Sequence, residues 1–144
     1  MLVGRPAVGP LVGVVDIADP TAPAIATICP VGGRARNLTL AGDRAYVADS
    51  FEGLQILDIS DPASPALLGS YDTPTIARGV AVAGDCAFVA DDATGLVLLD
   101  IADPAAPSLV TTMQLDGFVS QMSVRGDLVY LADFFYGGLF VVDL

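Results

Sequence analysis

Residues 84–107 read GDCAFVADDATGLVLLDIADPAAP, and the same frame stands 42 positions earlier as GDRAYVADSFEGLQILDISDPASP (42–65). The apolar runs that end in aspartate occur four times: VGVVD (12–16), LQILD (54–58), LVLLD (96–100) and LFVVD (139–143). Their aspartates are spaced by 42, 42 and 43 residues. Self-similarity at this period, in units of four short apolar runs, is the sequence signature of propeller blades.

Working outward, the frame divides the chain into a half unit at 11–32, two full units at 33–74 and 75–116, and a partial unit at 117–144. Residues 1–10 match no repeat position and stay unassigned. Within a unit the runs are short, rich in Val, Ile, Leu and Tyr, and separated by turn residues, which predicts strands. First strands are expected at 36–41, 78–83 and 120–125, second strands at 44–48, 86–90 and 128–132. Third strands fall at 12–17, 54–59, 96–101 and 139–144, and fourth strands near 24–29, 66–71 and 108–113. Gly-Asp pairs at 42, 84 and 126 suit tight hairpins, where glycine supplies a positive φ without steric strain. Each third strand leads into Asp-Pro-x-x-Pro, with Asp opening the turn and Pro fixing φ at the next position. The second proline begins the fourth strand and assigns it to the sheet edge, where a missing N–H is tolerated.

The strands are apolar on both faces, in line with a mean hydropathy of +0.65. Both faces of each sheet therefore need covering, and packing sheet against sheet around an axis achieves this. No run reaches the roughly 18 uninterrupted apolar residues that a spanning helix needs, so no membrane insertion is expected. The expected fold is all-β, an incomplete β-propeller with about three blades' worth of strands. A blade face covers roughly 300 Å² in projection. At ~25 cal/mol/Å², covering one is worth roughly 7 kcal/mol, comparable to a domain's whole stability. Either self-association or missing blades from a longer chain is the expected remedy.

The four aspartate-ended runs, the Ala-Tyr-Val-Ala-Asp type strand before them and the Asp-Pro-x-x-Pro link after them resemble the LVIVD repeat over residues 11–144. That resemblance implies bacterial and archaeal propeller proteins, extracellular or at the cell surface, with no general enzymatic activity. It carries over no catalytic residue. Arg5 followed by Leu11–Val15 is faintly like a signal peptide, but Asp16 cuts the run and the segment is in repeat register, so it is read as strand.

Six Lys plus Arg against seventeen Asp plus Glu give a net charge of −11. Such a balance repels phosphate backbones and lacks a basic stripe, which argues against nucleic acid as partner. Cys29 and Cys86 occupy different strand positions in units that are not neighbours, too far apart in the repeat for a disulfide. With no histidine in the chain, two cysteines make no usual zinc set. They read as small buried apolar side chains.

Asp49, Asp91 and Asp133 fall at one end of the units, Asp58 and Asp100 at the other. Calcium needs six or more oxygens converging on a point, and here the carboxylates are spread one per unit. Repetition in every unit argues for turn-capping and not for a catalytic pair. Arg125-Gly126-Asp127 spells an integrin-type recognition tripeptide, yet it stands in register with the hairpins at Gly42 and Gly84. No catalytic, cofactor or metal residue is assigned, and no cofactor is expected.

The candidate partner-binding face is the end where the loops before the first strand and after the second emerge. It carries Arg36 and Arg78, with Arg34 beside them, and the loop Phe134-Phe135-Tyr136. Arginine next to exposed aromatics is the composition of recognition hot spots. The plainer account pairs the arginines with loop aspartates and lays the aromatics over the terminal sheet. The expected function is a non-enzymatic scaffold binding a protein or glycan at the cell surface or envelope. The alternatives are a channel-site hydrolase or lyase, and a purely structural fragment of a larger propeller protein.

Overall fold

In the computed structural model, which describes residues 11–115, 117–133 and 138–143, the apolar runs form thirteen strands and no helix. β1 (Leu11–Asp16) and β2 (Ala24–Pro30) make a two-stranded sheet. β3 (Asn37–Ala41), β4 (Arg44–Ala48), β5 (Leu54–Asp58) and β6 (Ala66–Tyr71) make a four-stranded sheet in chain order. β7 (Ala77–Ala83), β8 (Cys86–Asp91), β9 (Gly95–Asp100) and β10 (Ser108–Met113) repeat it. β11 (Val119–Arg125), β12 (Leu128–Asp133) and β13 (Leu139–Asp143) form a three-stranded sheet. All pairings are antiparallel between consecutive strands. The expected strands are present, with ends shifted by at most one residue.

The turn chemistry explains the connections. Ala41 pairs with Arg44, Ala83 with Cys86 and Arg125 with Leu128, closing two-residue hairpins. Gly42, Gly84 and Gly126 take φ of 57°, 55° and 59° while the aspartates after them do not turn positive, the type II′ pattern that follows the strand twist. After each third strand, Asp16, Asp58 and Asp100 accept the N–H two residues on, at 2.8–2.9 Å. Asp19, Asp61 and Asp103 do the same at 2.9–3.0 Å. The hydrogen bonds of Thr21 and Ser60 hold the Asp19 and Asp58 carboxyls below the usual aspartate pKa. These aspartates are turn caps.

Between the sheets lie three apolar clusters. Leu54 and Ile56 face Val80, Val89, Val97 and Leu99 across the join of the two four-stranded sheets. Phe88, Ala90 and Leu96 face Val119, Val129 and Leu131 across the next join. Cys29, Ala45, Val47 and Leu57 fill the third, against β1 and β2. The third strands therefore alternate: Val97 and Leu99 look back to the preceding unit, Leu96 and Leu98 forward to the next. First strands touch one another, β3 with β7 and β7 with β11, and so line the hub. Fourth strands lie at the outer edges, and every residue of β10 is exposed.

Cys29 is buried as expected. Cys86 is only half-buried, because it opens β8 beside an exposed hairpin. Both thiols are free.

A local feature recurs that the 42-residue period conceals. Each fourth strand carries one unpaired extra residue, at Ala26, Leu68 and Val110. First strands carry another, at Arg78 and Ser120. Such bulges bend a strand and re-aim the side chain they carry.

Candidate functional site

At the hub end of the units, the three buried aspartates each tie down the loop that enters their own sheet. Asp91, 4% exposed, accepts from Thr75 N (2.8 Å), Thr75 Oγ1 (2.8 Å), Thr94 N (3.0 Å) and Ala93 N (3.2 Å). Burial pushes its carboxyl up, but the hydrogen bonds of Thr75 and Thr94 outweigh that and hold the pKa below the usual aspartate value. Asp49 accepts from Gly33 N at 2.7 Å and Asp133 from Phe118 N at 3.3 Å. Asp49 is wholly buried, and its Oδ1 has no partner among the described residues. Asp91 Oδ1 has three donors and none has a counterpart at Asp49: Gly33 stands where the next unit has Thr75, and Glu52 N, at the place of Thr94 N, donates to the Asp49 backbone carbonyl at 3.0 Å.

A second substitution changes the charge. Arg78, at the bulge of β7, clasps Asp92 through both Nε and Nη2, the latter at 2.7 Å. That hydrogen bond is the main reason the Arg78 pKa is raised. Arg36 holds the equivalent place just before β3, where its N–H donates to Ala48 O at 2.8 Å. Its acid is replaced by Ser50, and Arg36 Nε donates to the Ser50 hydroxyl at 2.8 Å. Arg36 therefore makes no ion pair among the described residues.

Ser50 is held in place from several sides. Its hydroxyl donates to Arg34 O at 3.1 Å, and its carbonyl accepts from Ala77 N of the next unit at 2.8 Å. It is buried with φ of 50°, the sole non-glycine residue at positive φ among those described. Strain of this kind persists only where surrounding bonds over-determine it. Above it opens a hollow of about 260 Å³ lined by Gly33, Arg34, Arg36, Ser50, Phe51 and Glu52. Phe51 is 73% exposed.

Arg36 and Arg78 thus lie at equivalent points of neighbouring units, one unpaired and one satisfied. Phe134, Phe135 and Tyr136 lie outside the described residues. Sequence reasoning passed over Phe51, which stands 84 positions before Phe135 and so at the same point of the frame. That register was the signal available. No group of three or more metal-ligating side chains converges among the described residues.

Sheets of four antiparallel strands, first strands at a hub and third-strand faces packed unit on unit define an incomplete β-propeller built as a repeat scaffold. The LVIVD repeat matches residues 10–31, 32–73, 74–114 and 116–144, and the chain belongs to the LVIVD-repeat family. Among solved structures, the crystal structure of the computationally designed Ika4 protein is similar in fold. The TM-score is 0.72 at 11% identity, over 94% of this chain and 80% of that one. No protein of curated function matches the chain.

Proposed function

We propose that the chain is a non-enzymatic scaffold whose unit at 33–74 binds a carboxylate borne by a partner, in an extracellular or cell-surface setting. The supporting observation is the contrast between Arg78, closed by Asp92, and Arg36, which donates to the neutral Ser50 and forms no ion pair among the described residues, although Glu52 lines the same hollow. The hollow offers a charged fork, a second arginine at Arg34 and an exposed aromatic ring at Phe51. A guanidinium takes a carboxylate through two parallel N–H bonds, as Arg78 takes Asp92. Phe51 favours a protein partner over a glycan, since an aromatic beside arginine is the composition of protein hot spots. The net charge of −11 slows the approach of an acidic partner, so the site relies on short-range contact.

The test is titration with an acidic peptide of Asp and Glu residues and, in parallel, a uronate oligosaccharide, followed by calorimetry. Ser50→Asp would supply the acid from within and is expected to weaken peptide binding at least tenfold, as is Arg36→Ala. Equal affinity of wild type and Ser50→Asp would overturn the proposal. Binding of the oligosaccharide alone would move the partner class to glycan.

A further inference from the structure

Two apolar faces at opposite ends of the stack are bare, and the repeat shows what each is shaped to meet. Val80 and Val82 on β7 pack against the preceding sheet, with Val80 1% exposed. Their register equivalents on β3, Leu38 and Leu40, are 47% and 62% exposed, because β1 and β2 cover only the outer part of that sheet. At the other end, Leu96 on β9 is 4% exposed where the three-stranded sheet covers it. Its equivalent on β13, Leu139, is 65% exposed, and Val141 is 51% exposed.

We propose that two copies of this chain close head to tail, β12 and β13 of each covering Leu38 and Leu40 of the other, with β2 crossing over to pair with the partner copy's β13. The occupant follows from the internal joins. Faces carrying Phe88, Ala90 and Leu96 already seat on first and second strands of the next unit, and the bare β12–β13 face repeats that pattern with Tyr130, Ala132 and Leu139. A second copy brings the matching first and second strands, β3 and β4.

β13 is taken over β1 as third strand of the composite sheet because it is already paired with β12, whereas β1 has no first or second strand beside it and leaves a hollow of about 290 Å³ against Leu38 and Leu40. The free edge of β13 also borders a hollow of about 220 Å³ lined by Leu98, Met113 and Val142, where a fourth strand would lie. Two joins of this kind bury on the order of 1,200 Å², the lower bound for stable protein interfaces. Each copy contributes two whole units, the first three strands of one composite sheet and the fourth strand of the other, so the closed ring has about six, inside the usual range of four to eight.

The experiment combines light scattering of the 144-residue chain with a cysteine pair. In the present β1–β2 sheet Val12 stands opposite Cys29, and Leu139 is the frame equivalent of Val12. In a Cys86→Ala background, Leu139→Cys is expected to form a disulfide-linked dimer with the partner's Cys29 under mild oxidation, and Cys29→Ala to abolish it. Light scattering at micromolar concentration should give twice the 14.7 kDa chain mass, and Leu40→Arg should raise the dissociation constant at least tenfold. A stable monomer overturns the proposal. So does an open series of larger species, or a Val12→Cys variant that stays oxidised within one copy while Leu139→Cys fails to cross-link.

Discussion

The side-chain oxygen of Asn37 accepts a hydrogen bond from the backbone N–H of Val80 at 3.2 Å, binding the inner strand of one unit to the inner strand of the next. Val80 is buried, so this N–H has no route to water. The bond is a direct polar link across a mainly apolar join, beside the one that Ala77 N makes to Ser50 O.

Asn37→Ala should therefore cost about 1–2 kcal/mol, the penalty of an orphaned buried donor. Asn37→Asp keeps the acceptor and should lose less. Urea unfolding of the three proteins at pH 7 measures the difference. Equal midpoints for Asn37→Ala and wild type would contradict it.

Asp91 predicts a pH dependence. Its folded-state pKa is depressed, so its contribution is complete above about pH 4 and is lost as pH falls through the folded value. Asp91→Asn should flatten the acid limb of the stability curve below pH 4, and Asp91→Ala should cost about 3 kcal/mol at pH 7 by stranding several donors. Thermal unfolding between pH 2.5 and 7 shows both effects.

Gly95 predicts a steric one. Its φ is 84°, and an added Cβ would stand 2.5 Å from Leu115 N and 2.6 Å from Met113 O. Both atoms are backbone and cannot swing away, so Gly95→Ala should destabilise by about 2–4 kcal/mol. Gly84→Ala, with a similar φ but nothing within 4 Å, should cost about 1 kcal/mol.

Exchanging the acid for serine in the second unit separates stability from binding. Arg78 and Asp92 side chains are 32% and 15% exposed, so Asp92→Ser should change stability by about 1 kcal/mol or less. It should also give Arg78 the unpaired state of Arg36 and increase affinity for an acidic peptide. Calorimetry on the single variant, with chemical denaturation alongside, reads both quantities.

Much of this was legible in the residues because each turn carries its own chemistry. Gly-Asp closes the hairpins, Asp-Pro caps the outer turn, and Asp49 and Asp91 read as structural caps by their repetition. The bulge at Arg78 was not legible, since the 42-residue period is the same whether that residue lies within the first strand as a bulge or just outside it. The orphaned oxygen of Asp49 and the freed charge of Arg36 depend on what two side chains lack. They emerge only when Gly33 is laid over Thr75 and Ser50 over Asp92 in space. The aromatic loop at 134–136 drew attention by composition, while Phe51, a single ring in a plain loop, supplied the exposed aromatic at the described site.

The division of the interior into three separate clusters governs how the chain comes apart. Stability in such a stack is a sum over adjacent joins, so damage travels only as far as the neighbouring one. β4, β5, β8 and β9, flanked by apolar packing on both sides, should retain amide protons longest, while β1, β2 and β13 exchange first. Thermal fraying then works inward from either extremity, and the two inner sheets are the last to let go.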